Sequence, residues 1–313
     1  MRADGVFSGG GIKAIAFAGA LKAAAEAGYT EWVSVAGTSA GAITAMSLAV
    51  GYDADGIKER LDAFDFSKIA DYGGPFGIGR VENLIVRDAL THGKVLRRFI
   101  EQLLKEAPQP ATTFGELGGR LHVIGTDLNH NRMVVFPDDL RFYVDSGGKP
   151  LEPDEFPIAE AVRISAGYPY FFPPLKLRDA HTGKDGMLVD GGVVSAYPVF
   201  LFDSPQPQRP TWGFRLFAGL SSERPTYEPI SGTGWPLEML KAILDTSINA
   251  LDTLELKAFG NRSIAIPTGD VSTLDFALSE EQKTFLYDSG YQAAKAFFAS
   301  EPKATNTFGA TPP

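Results

Sequence analysis

Two strand-then-glycine-then-helix passages within the first fifty residues constrain the fold most. Residues 5–8 read as a short strand that runs into Gly9-Gly10-Gly11. Residues 12–27 are Ala-rich, with apolar positions at helical spacing, and they stop at Gly28, where a helix-terminating glycine belongs. Residues 32–36 (WVSVA) form a second strand candidate that runs into Gly37-Thr38-Ser39-Ala40-Gly41, and an apolar helix over 42–50 follows at once, ending at Gly51. Strand, helix, strand and helix in this order require parallel pairing with crossover helices. The chain is therefore predicted to be α/β with a mostly parallel central sheet.

Further along, 55–64 and 84–107 read as amphipathic helices on either side of a glycine-rich loop at 72–79. Strands are expected at 121–126, 133–136, 187–189 and 211–220, and long helices at 237–259 and 280–299, with 138–168 mixed. There is no internal repeat and no linker-like stretch, so one catalytic domain is expected over 1–300, followed by a flexible tail at 301–313 rich in Thr, Pro and Gly. The 313 residues are 44% hydrophobic, which supplies a large core and excludes a wholly disordered chain. Lys and Arg number 29 against 38 Asp and Glu. The resulting charge of −9 has the wrong sign for a protein that tracks nucleic-acid phosphates, so no nucleic-acid partner is expected. It also opposes broad docking on anionic lipid, while leaving room for a local patch. Cysteine is absent, which excludes disulfides and thiolate catalysis. Asp4 and the glycines interrupt the start, MRADGVFSGGG, where a secretory signal needs an apolar run. No stretch reaches the roughly 18 apolar residues of a membrane span. A cytoplasmic protein, or one peripheral to a membrane, is expected, and export by a signal-independent route is compatible with the sequence.

Gly37-Thr38-Ser39-Ala40-Gly41 matches G-x-S-x-G once in the chain, between an apolar strand and an apolar helix. A nucleophile elbow requires that context: the turn is sharp, its flanks must be nearly bare of side chain, and the serine Oγ is held out near the positive end of the helix. A helix-capping serine is the plainer reading. Gly9, Gly10 and Gly11, followed by Ile12 and Lys13, also lie between strand and helix, where successive amides can face one anionic oxygen as an oxyanion hole. A tight packing turn is the alternative. A dinucleotide fingerprint fits poorly, because the second strand ends in Ala36-Gly37-Thr38 rather than in an acid.

An alcohol nucleophile needs a base. The chain has four histidines. His92 reads as a helix-face residue and His122 as a strand residue; His130 and His181 read as exposed residues of polar turns. A Ser-His-Asp esterase using His181 remains one reading. The other base candidate is Asp190, which directly follows the apolar residues 187–189 and precedes Gly191 and Gly192.

Taken together, Gly9-Gly10-Gly11-x-Lys13, Gly37-x-Ser39-x-Gly41 and Asp190-Gly191-Gly192 resemble the patatin-like phospholipase family in order and rough spacing over about residues 4–200. Weaker echoes are Ile124 to Leu128, Ser165-Ala166 with the proline-rich run after it, and Tyr197-Pro198. The resemblance implies a three-layer α/β/α fold and hydrolysis of phospholipid or other acyl-ester lipids through an acyl-enzyme intermediate. It implies no cofactor and no metal, and it allows peripheral membrane contact. It makes Ser39 the nucleophile, Asp190 its partner in a Ser–Asp dyad, and Gly9, Gly10 and Gly11 the oxyanion loop. Gly37, Gly41, Lys13, Gly191 and Gly192 become supporting motif positions. The chain departs from the family's habit at Lys13, Ala14 and Ala196-Tyr197, where Arg, Gly and Asn-Pro are frequent. A catalytically silent lipid- or acyl-binding module on the same fold is the alternative from another class. The run from Tyr168 to Pro174 is a candidate pocket rim or membrane-facing patch, or else core and rigid loop.

Overall fold

The computed structural model describes residues 1–69, 89, 91–145, 147–217, 260–273 and 277–300. Its strands are β1 (Arg2–Phe7), β2 (Glu31–Thr38), β3 (Leu121–Asp127), β4 (Arg132–Phe136), β5 (Tyr143–Val144), β6 (Leu175–Asp179), β7 (Asp185–Asp190), β8 (Thr211–Phe217) and β9 (Ser263–Pro267). Its helices are α1 (Ile15–Glu26), α2 (Ala40–Ala49), α3 (Ala54–Ala63), α4 (Lys94–Lys105), α5 (Ile158–Ser165) and α6 (Glu280–Ser300). All nine strands join one sheet.

Five strands form its parallel centre in the order β3-β2-β1-β8-β9. Their residues are buried on both faces, as a parallel sheet under crossovers requires. On β1, Phe7 faces the helices and Val6 the other side. The Phe7 ring stacks on Phe214 at 4.9 Å and meets Phe17 of α1 edge-on at 5.4 Å, tying three elements at the middle of the sheet. Helices α1 and α6 cross at glycines: a Cβ on Gly19 would lie 2.0 Å from Tyr287 O, and one on Gly290 would lie 1.9 Å from Ala16 O. The opposite face carries Val6, Ala36, Tyr197 and Val199. The Tyr197 ring fits there because β8 has Gly213, whose Cβ would fall 1.6 Å from the phenol oxygen. The fold is thus α/β, a sheet sandwiched between a helical layer and a second layer that includes the 3-10 turn Val199–Phe202.

The antiparallel strands decide where the site lies. Val35 N donates to Arg120 O at 2.8 Å, and Leu128 N donates to Met187 O at 2.9 Å. Residues 120 and 128 are an even number apart, so both bonds leave the same edge of β3. Strand β2 occupies the lower part of that edge and ends at Thr38 opposite Ile124. Strand β7 occupies the upper part, runs the other way, and ends at Asp190 opposite Gly125. The C-terminal ends of β2 and β7 therefore meet tip to tip, while β4 pairs with β3 as well. Strands β6 and β5 extend the antiparallel wing beyond β7.

Most predicted elements appear within two or three residues of their expected ends. The mixed region 138–168 resolves into 3-10 turns, β5 and α5, and strands β6 and β9 were not anticipated. The helix expected over 84–107 starts only at Lys94, since residues 89 and 91–93 are not helical and His92 therefore precedes the helix; the expected loop at 72–79, the helix at 237–259 and the tail at 301–313 lie outside the described residues, as do residues 84–88 and 90 and the last of the strand expected to 220.

Candidate active site

The turn between β2 and α2 is tight enough to exclude side chains on both sides. A Cβ on Gly37 would lie 2.2 Å from Gly41 O, and one on Gly41 would lie 2.3 Å from Phe7 O. Between them Ser39 has φ 56° and ψ −126°, a conformation that costs a non-glycine residue on the order of 1–3 kcal/mol. Two hydrogen bonds hold the turn: Ser39 N donates to Ser165 Oγ at 2.9 Å, and Thr38 Oγ1 donates to Ser195 O at 3.0 Å. Sequence reasoning assigned no role to Ser165. Its only signal was the weak motif echo at Ser165-Ala166.

The meeting of β2 and β7 brings Ser39 and Asp190 together. Ser39 Oγ donates to Asp190 Oδ2 at 2.8 Å, and Gly192 N donates to the other carboxylate oxygen, Oδ1, at 2.8 Å. Asp190 N donates to Gly167 O at 3.1 Å, anchoring the end of β7. Asp190 is buried, at 5% exposed. Burial raises its pKa to about 7 against the opposing pull of the Gly192 amide and the Ser39 hydroxyl. Gly191 is required by space, since its Cβ would lie 2.3 Å from Ile124 O.

The glycine loop runs alongside. A Cβ on Gly9 would stand 3.5 Å from Ser39 Cβ. The three-amide expectation needs a correction at Gly9, whose N–H donates to Ala196 O at 2.8 Å and is spent on holding the loop. The amides of Gly10 and Gly11 have no acceptor among the described residues. Gly11 adopts φ 57°, and a Cβ there would lie 2.1 Å from Thr273 O. Lys13 lies in the 3-10 turn Gly11–Ala14, and the positive end of α2 adjoins Ser39. A narrow apolar cavity of about 40 Å³ lies beside Gly11 and Ala40, walled by Ile12, Ile15, Ile43 and Phe99.

The histidines lie elsewhere. His181 is exposed in the turn between β6 and β7. That turn is at the far end of β7 from Asp190, roughly 17 Å away at about 3.3 Å per residue. The expectation that His130 is exposed is corrected. Its Nδ1 lies 2.8 Å from Asp127 Oδ2 and its Nε2 3.1 Å from Thr182 Oγ1, because buried Asp127 needs partners. In the aromatic run, Phe172 is core and Tyr170 is exposed. Among the described residues no helix is long and apolar enough to cross a membrane.

A family model described as "Patatin-like phospholipase" matches residues 5–203. The chain is 36% identical over 302 residues to the uncharacterized protein YqhO of Bacillus subtilis (strain 168), covering 95% of this chain and 98% of that protein. It is 26% identical over 309 residues to the uncharacterized protein R571 of Acanthamoeba polyphaga mimivirus, covering 92% and 91%. Among solved structures it is similar to VipD from Legionella pneumophila, with TM-score 0.58 and 18% identity over 95% of this chain and 67% of that one. It is also similar to the type III effector protein ExoU of Pseudomonas aeruginosa, with TM-score 0.50 and 19% identity, and it spans 53% of that chain. At these identities the structural likeness is one of fold.

Proposed function

Because the chain belongs to the patatin-like phospholipase family, we propose that it is a lipid acyl hydrolase working through a Ser39–Asp190 dyad. The observation that carries this reading is the 2.8 Å contact from Ser39 Oγ to Asp190 Oδ2 at the meeting of β2 and β7.

In the first half-reaction Ser39 Oγ attacks the ester carbonyl, and its proton passes to Asp190 Oδ2. An aspartate of ordinary pKa near 3.9 is a poor base for an alcohol, and burial that raises it to about 7 brings it into the useful range. The Gly192 amide on Oδ1 keeps Oδ2 turned toward the serine. The negative charge on the carbonyl oxygen is met by the amides of Gly10 and Gly11, with the positive end of α2 behind Ser39. Protonated Asp190 then gives its proton to the leaving alcohol or lysolipid. In the second half-reaction Asp190 takes a proton from water, the hydroxide attacks the acyl-serine, and Asp190 returns the proton to Ser39 Oγ as the acyl–oxygen bond breaks and the fatty acid leaves.

Reaction with a fluorophosphonate, followed by mass spectrometry of the labelled peptide, tests the reading: the adduct is expected on Ser39. Ser39→Ala and Asp190→Asn should each remove both hydrolysis and labelling, while His181→Ala leaves both intact. Activity lost in His181→Ala and kept in Asp190→Asn would instead establish a Ser-His-Asp esterase. A folded chain with no hydrolysis and no label would be a binding module.

A further inference from the structure

The segment between α5 and β6 caps the end of β7. It leaves α5 at Gly167, whose carbonyl accepts from Asp190 N at 3.1 Å, and it returns at Leu175, which pairs with Leu188 two residues before Asp190. Most of this segment is pinned. Phe171 O accepts from Thr91 N at 3.0 Å and from Thr91 Oγ1 at 2.7 Å, Pro173 O accepts from Arg163 at 2.9 Å, and the Phe172 ring is buried. Tyr170 stands at the turn between these anchors and is 46% exposed.

Tyr170 is held there against its backbone preference. It takes the third place of the turn 168–171, which is closed by Phe171 N donating to Tyr168 O at 3.1 Å, and its φ is 62°. Glycine or asparagine belongs at such a position, and a bulky residue there is strained. Among the described residues two other non-glycine residues have positive φ. Ser39 has it at the elbow, and Asn131 is of a type that tolerates it. A half-exposed ring recovers little packing in return, so strain kept at Tyr170 calls for a contact that forms only with a ligand. The position says which part of the ligand. Tyr170 is three residues from Gly167, so its Cα lies within about 11 Å of the residue that holds Asp190 N. In the proposed cycle the carbonyl oxygen faces Gly10 and Gly11, while the leaving oxygen must reach Asp190 Oδ2 for its proton. The alcohol half of the ester therefore lies on the β7 side, where Tyr170 stands.

We propose that Tyr170 sets specificity for the alcohol half of the ester: its ring packs against that half and favours an extended alcohol, such as that of a glycerophospholipid, over a small one. This rests on the acyl-hydrolase reading. The test compares dibutyryl phosphatidylcholine with ethyl butyrate, which share an acyl group and differ in the alcohol. The ratio of their kcat/KM values should fall by about tenfold in both Tyr170→Ala and Tyr170→Gly, at the low end of what one apolar substrate contact contributes, with KM for the phospholipid rising. Tyr170→Phe, which keeps the ring, should keep the ratio. Both truncations remove the ring and glycine alone relieves the backbone, so Tyr170→Gly should melt above Tyr170→Ala. Equal melting of the two truncations would overturn the proposal, as would a ratio lowered as far by Tyr170→Phe as by Tyr170→Ala. So would an unmoved ratio in the truncations, including the case where both esters slow in step, the sign of a ring that only props up Asp190. If wild type hydrolyses neither ester and takes no fluorophosphonate label, the acyl-hydrolase reading falls and this assignment falls with it. Wild-type turnover with an unmoved ratio in the truncations strikes this assignment alone.

Discussion

At the scale of single residues, the chemistry turns on one carboxyl. Asp190 in its charged form is the proposed base, so kcat/KM should fall about tenfold per pH unit below roughly pH 7, on a limb with one ionisation, and level off above it. A pH–rate profile on a soluble ester checks this; a midpoint near 4 would mean that burial does not tune the group. The same shift has a consequence for stability. The folded pKa, about 7, lies above the unfolded value near 3.9, so between those pH values the folded state binds more protons. Stability from this group is complete below about pH 4 and is lost as pH rises toward 7. Asparagine at 190 can still accept from the Gly192 amide and can donate to Ser39 Oγ, and it carries no charge. Asp190→Asn should therefore melt higher than wild type at pH 8, by an amount on the order of a few kcal/mol, and the difference should vanish near pH 4. Calorimetry of both proteins across that range reads it directly.

At the scale of elements, the elbow works because β1, β2 and α2 approach more closely than side chains allow. Gly37→Ala would place a methyl 2.2 Å from Gly41 O, and the backbone must shift to admit it. The expected cost is about 3 kcal/mol or more, measured by denaturant unfolding, with activity lost alongside. Gly260→Ala, where a Cβ meets nothing within 4 Å, should change stability by less than about 0.5 kcal/mol. These close approaches were legible in the sequence because only glycine satisfies them, and Ser39 was found through its flanking glycines. Asp190 was legible for a similar reason: an apolar strand ended in an acid and two small residues. The eight-residue α5 and the five-residue β6 were not, because each is too short for its period to stand out among prolines and turn residues. The use of the Gly9 amide by Ala196 was also hidden. It depends on a contact between segments 187 residues apart, and no local pattern encodes which of three neighbouring amides such a contact will take.

At the scale of the whole molecule, the proposed dyad depends on a junction between two half-sheets of opposite construction. Ser39 stands at the end of the parallel centre and Asp190 at the end of the antiparallel wing, and β3 is the strand they share. Asp127 sets the wing's attachment. It is fully buried on β3, and its carboxylate accepts from Tyr143 OH at 2.8 Å and from Met187 N at 3.2 Å, besides its contact with His130. Through these partners it joins β5, the β3–β4 turn and β7, on which Met187 stands three residues before Asp190. Asp127→Asn keeps the shape, but one of its two acceptor oxygens becomes a donor facing groups that had been donating to it. Buried donors left unpaired cost about 1–3 kcal/mol each, so the melting temperature should fall. The consequence for catalysis follows from geometry: α1, α2 and the glycine loop belong to the parallel centre and keep their packing, while Asp190 is carried by the strand that loosens. Expected, then, is a drop in kcat of tenfold or more on a soluble ester with little change in KM, since a misplacement near 1 Å at a reacting group is enough to cost that much. Labelling of Ser39 by fluorophosphonate should slow in parallel. A variant that melts lower yet turns over at the wild-type rate would show that the placement of Asp190 is fixed locally, by Gly167 and Gly192, and not by the wing.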